Sequence, residues 1–123
     1  VPVLYAAVLD DRIRKLGLEG MLVSYESVVM TRIHRRVFED VVPRALLFYD
    51  LPGLVAALAP REVWIVNAVD PLRHPVGSSR VKGQYTRASQ AFKLAGAESA
   101  LHFRDRRPDE GMAKTYREMM ANP

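Results

Sequence analysis

At 123 residues, with 49% hydrophobic and 26% charged residues, the chain has the make-up of an ordinary globular domain, long enough to bury a core without staples. The lack of cysteine excludes disulfides, thiolate metal sites and thiol nucleophiles, and it fits an intracellular setting. A formal charge of +4 and a pI near 9.7 favour polyanionic partners, while no apolar run reaches the roughly 20 residues of a membrane span.

Val1–Leu9 (VPVLYAAVL) is a continuous apolar run closed by Asp10-Asp11. It reads as a buried first strand, with Pro2 tolerated at its start. Arg12–Gly20 is cationic and punctuated by Gly17 and Gly20, so a short helix or an exposed loop fits it. Met21–Ile33 is rich in β-branched and aromatic residues; it reads as a strand, or as a strand followed by a helix entry near Ser27. His34–Val42 has the spacing of a short amphipathic helix. Pro43–Asp50 repeats the pattern of the first run, Leu51-Pro52-Gly53 turns the chain, and Leu54–Ala59 is a short helix closed by Pro60.

Val63–Val69 is the most hydrophobic segment and reads as a strand covered on both faces, as parallel strands require. From Ser79 the apolar stripe Val81, Tyr85, Ala88, Phe92 and Ala95 predicts a helix, with Ser78 or Ser79 as N-cap and Gly96 as its stop. Ser99–Phe103 is a further strand. The last helix is expected to open at Pro108, with Asp109-Glu110 at its positive end. Its Met112, Tyr116, Met119 and Met120 form a buried stripe that is also a candidate protein contact. The alternation predicts a single α/β domain over 1–123, a three-layer sandwich with a mainly parallel sheet. A ribonuclease-H-like mixed sheet is the runner-up.

Two constellations carry chemistry. Between Asp70 and Glu98 stand Arg73, Arg80, Lys82, Arg87 and Lys93 with no acidic residue. With Ser78 and Ser79 at a helix start, Arg73, Arg80, Lys82 and Arg87 predict an anion or phosphate-backbone site. The spacing of Gly77 and Gly83 is not that of a P-loop. Secondly, Asp10, Asp50, Asp70 and Asp105 each follow a predicted strand. In a parallel sheet those ends share one edge, where carboxylates could hold Mg²⁺; turn formation and capping are the ordinary alternative. His74 is a general acid/base candidate within the basic loop.

Asp10-Asp11 after a first strand, Asp50 before Pro52-Gly53, and Ala95-Gly96-Ala97 before a last strand and Pro108-Asp109-Glu110 resemble the layout of a response-regulator receiver. That resemblance would make Asp10 and Asp11 metal ligands and Asp50 a phosphoacceptor. Pro52-Gly53 lies two residues too close to Asp50, however, Asn67 replaces the Thr or Ser switch, and Phe103 or Arg104 replaces the lysine, so the chain is not assigned to that family. The expectation is a non-enzymatic module docking onto RNA, DNA or another polyanion, within a larger assembly. The alternatives are a Mg²⁺-dependent phosphohydrolase or nuclease, and a structural or signalling module that contacts protein through its last helix.

Overall fold

A computed structural model describes residues 1–121. Three strands, β1 (Lys15–Glu19), β2 (Glu62–Val66) and β3 (Leu101–Arg104), form an all-parallel sheet in the order β1-β2-β3. Each strand is laid on the same side of the one before, so right-handed crossovers place both connections on one face. The first crossover holds α2 (Tyr25–Val29), a 3-10 turn (Ala45–Leu47) and α3 (Leu51–Ala56). The second holds α4 (Ser78–Gln84), α5 (Thr86–Leu94) and a 3-10 turn (Glu98–Ala100). Helix α1 (Pro2–Leu9) packs on β1 and α3, and α3 packs on α5.

The period of two along each strand divides the molecule. Leu16, Leu18, Val63 and Ile65 turn toward these helices and form one core with Leu4, Leu51, Val55, Val81, Tyr85 and Phe92. Trp64 and Val66 turn the other way and pack against Met119 of α6 (Met112–Ala121), which crosses the second face. Gly17 is the point of closest approach: a Cβ there would collide with Met119 Cε. The Lys15 ammonium donates to the Met119 carbonyl. The expected α/β sandwich with a parallel sheet is thus the fold, and the mixed-sheet runner-up is not formed. No helix among the described residues is long and apolar enough to cross a membrane.

Several elements differ from the reading by pattern. Val1–Leu9 is the helix α1, not a strand: Pro2 stands in its first turn, while Leu4 and Ala7, three apart, face the core. The first strand is instead β1, inside the segment read as helix or loop. Beyond Gly20 the chain stays extended only briefly, with Leu22 bridged to Val69. Ser24 then caps α2 by accepting from the Ser27 N–H at 3.1 Å. His34–Val42 forms no helix and Pro43–Asp50 no strand. Leu51-Pro52-Gly53, read as a turn, is the first turn of α3, with Pro52 in the tolerated position.

The helix expected from Ser79 to Gly96 breaks at Tyr85. The Thr86 hydroxyl donates to the Gly83 carbonyl at 2.7 Å, a local bond that competes with helix continuation beside a poor helix former. The last helix starts at Met112, not Pro108. Of its expected stripe only Met119 is buried, while Met112, Tyr116 and Met120 are exposed.

Candidate functional site

Beyond the strands, β1 and β2 run on side by side. Gly20 donates to Val66, Val69 to Met21 and Val23 to Val69, each at 2.9 Å. This brings Ser24 and Asp70 to the carboxyl edge of the sheet, where ligands of open α/β folds bind. Between them lies a groove of about 390 Å³, walled by Ser24, Ser27 and Thr31 on one side and by Asp70 on the other, and closed by Arg80 and Gln84 of α4.

The predicted anion-binding residues do not share one site. Arg73, at a φ of 67°, binds the carbonyls of Arg35 and Arg36 and the Asp40 carboxylate (3.1 Å). It is a tie between two loops, with its guanidinium committed. The Ser78 N–H is also taken: both Asp105 oxygens accept from it at 3.0 Å. Gly77, not a serine, is the N-cap of α4, and the cap is borrowed from beyond β3. Arg80 lines the carboxyl-edge groove, whereas Ser78, Ser79 and Lys82 line a separate groove of about 450 Å³ along β3, with Trp64 and His102. Residues 80 and 82 point apart because a helix turns about 100° per residue. Arg87 is exposed on α5.

The four aspartates do not converge either. Asp10 ends α1 at the opposite, amino edge, beside Arg61, whose guanidinium binds the carbonyls of Ala7, Asp10 and Ile13. Its carboxylate pairs with Arg12 at 2.7 Å, and those hydrogen bonds hold its pKa below the ordinary value. Asp50 caps two helices, accepting from Leu51 and Tyr25 at 2.6 Å and from Glu26 at 3.1 Å. Asp70 accepts from the N–H groups of Leu72 and His74, both at 2.9 Å, and folds the loop beneath Arg73. Asp10 and Asp50 follow helix and loop, so the strand-end placement expected of them is wrong. Among the described residues no group of three or more His, Asp or Glu side chains is placed to hold a metal ion. His74 is exposed and pairs with Asp70 at 3.4 Å.

What the sequence reading missed is the run Arg32, Arg35 and Arg36. Arg35 N–H donates to the Pro71 carbonyl at 2.7 Å, so this loop lies along the carboxyl edge with its three arginines exposed. The signal was the Thr-Arg-Ile-His-Arg-Arg string, which helix-like spacing around Val37 obscured.

On the second face Glu62 gathers Trp64 Nε1 (2.7 Å) and Lys15 Nζ (3.2 Å). Burial pushes its carboxyl up, but those two partners outweigh it and hold the pKa below the ordinary value. His102 stacks on Trp64 with ring centroids 4.0 Å apart, and burial lowers its pKa. Comparison with protein-family models, curated proteins and solved structures finds no match to this chain.

Proposed function

We propose that the chain is a binding module, not an enzyme, and that its carboxyl edge docks onto a phosphate-bearing polymer, RNA or DNA, within a larger assembly. The observation that carries the reading is the row Arg32, Arg35, Arg36 and Arg80. These cations stand exposed along the edge with no carboxylate paired to them among the described residues. Unpaired guanidiniums along a sheet edge suit phosphate oxygens, which they bind through two parallel N–H donors. Arg73 serves as a positioning residue, since it grips the carbonyls of the two arginines that would touch phosphate. Binding is favoured over metal-assisted hydrolysis because the aspartates that would organise a cation are committed to caps, turns and an ion pair.

Fluorescence anisotropy with labelled single-stranded RNA, single-stranded DNA and duplex DNA tests this across a salt series. Arg35→Glu/Arg36→Glu/Arg80→Glu is expected to weaken binding and to flatten the log–log salt slope by roughly 0.7 to 0.9 for each phosphate no longer neutralised. The melting temperature should hold, because all three side chains are exposed. Absence of salt-dependent binding by the wild type would end the reading.

A further inference from the structure

We propose that the apolar groove between α2 and the 3-10 turn at Ala45–Leu47 is the docking site for an acidic, amphipathic helix of a partner chain. The groove encloses about 420 Å³, with Tyr25, Val28 and Val29 on one side and Val42, Leu46 and Leu47 on the other. Val29 is 71% and Leu47 66% exposed. Large apolar side chains left open beside one another mark an interaction surface. The Tyr25 hydroxyl is occupied: it donates to the Asp40 carbonyl at 2.6 Å and meets the Tyr5 hydroxyl at 3.1 Å. The slot therefore offers mainly carbon. Its concavity suits the side chains of a helix, spaced i, i+3/i+4 and i+7, better than a flat bilayer.

Charge selects the occupant. Arg44 is the one charged residue lining the groove, and no ion pair engages it among the described residues. It sits at a φ of 65°, in the left-handed region that residues other than glycine rarely adopt. None of the groove's lining residues is acidic, so the complement is an apolar stripe flanked by Asp or Glu. A second copy fits poorly. The exposed stripe Met112, Tyr116 and Met120 of α6 is flanked by Arg117 and by Lys114, which is paired with Glu110 at 3.6 Å, so it lacks the excess of free carboxylates that Arg44 calls for.

The test uses two labelled synthetic helices of about 18 residues, five turns long, with one Leu/Phe stripe in common and polar faces of either Glu or Lys. Anisotropy against the full chain should show the Glu peptide binding about tenfold or more tightly than the Lys peptide, a difference of one unit in log Kd. Arg44→Glu should reverse that preference, and Leu47→Asp should abolish binding of both peptides at an unchanged melting temperature. Arg35→Glu/Arg36→Glu/Arg80→Glu should leave peptide binding intact, which separates this groove from the nucleic-acid edge. Equal or absent binding of the two peptides, or a preference that survives Arg44→Glu, overturns the proposal. So does Leu47-dependent co-sedimentation with phosphatidylserine vesicles in place of peptide binding, or Leu47-dependent self-association of the chain.

Discussion

Asp105 and Ser78 are joined through both carboxylate oxygens, each 3.0 Å from the Ser78 backbone nitrogen. The residue that leaves β3 thereby closes the first turn of α4, and the second crossover is latched at both ends. Asp105→Ala should cost about 1 kcal/mol, the usual worth of a side-chain cap, which in a domain of this size lowers Tm by roughly 3–5 °C. Asp50→Ala should cost more, because its carboxylate serves α2 and α3 together. Thermal melts with and without Mg²⁺ check both values. Stabilisation by Mg²⁺ that vanishes in Asp105→Ala would instead make this carboxylate a cation ligand.

Gly17 and Met119 form a pair whose energies should not add. Met119→Ala opens a void beneath α6 and should cost about 2 kcal/mol. Gly17→Ala alone requires only that the flexible Met119 methyl move aside, so its effect should be small. In the double variant the new methyl group enters the space Met119 vacates, and the total should fall below the sum of the singles. A double-mutant cycle by urea unfolding measures this. Strict additivity would mean that the two residues do not touch.

His102 should make stability fall on mild acidification. Burial lowers its pKa in the folded chain below the ordinary 6.5, partly offset by the Glu62 carboxylate. As pH drops through 6.5 the unfolded chain takes up the proton first, so stability present above 6.5 is lost on the way down. His102→Phe, which keeps a ring against Trp64, should show a smaller difference in unfolding free energy between about pH 7.5 and about pH 5.5. An unchanged difference would place the titration elsewhere.

Arg73 should govern the order of the arginine loop. Arg73→Ala removes the donors to the Arg35 and Arg36 carbonyls and leaves Asp40 with the Val1 ammonium, 3.8 Å away. Hydrogen exchange at the Arg35 amide should quicken, and nucleic-acid affinity should fall although every arginine proposed to touch phosphate is still present. Full protection at Arg35 in the variant would show that the loop is held by other means.

From β2 to β3 the chain was legible because its signals agree, with β-branched residues at Val63–Val66, an apolar stripe through Phe92 and Gly96 at the stop, although the helix is broken at Tyr85 and the last helix opens later than Pro108 with most of its stripe exposed. The first half was not, for identifiable reasons. VPVLYAAVL suits a buried strand and a buried helix alike, and Pro2, admissible at the start of either, settles nothing by itself. Lys15-Leu-Gly-Leu-Glu19 hides a strand because only two of its five residues face the main core, and its glycine, lying against Met119 on the other face, reads as a breaker. The segment before Asp50 is apolar without being extended, since much of it lines an open groove. The candidate site suffered from the same ambiguity, because aspartates and arginines can serve ligands or the fold itself. Asp105 and Arg73 proved to be bonded within the chain, whereas Arg35 and Arg36 were left open to solvent.

The lopsided coverage of the sheet has a practical corollary. Among the described residues five helices lie on one side of the sheet and one helix, α6, on the other, where Met119 and the His102 ring cover the chain's single tryptophan, Trp64. Lifting α6 would wet the indole and red-shift its emission while the main core stayed shut. The molecule thus carries an intrinsic optical gauge for partial opening, readable without any label.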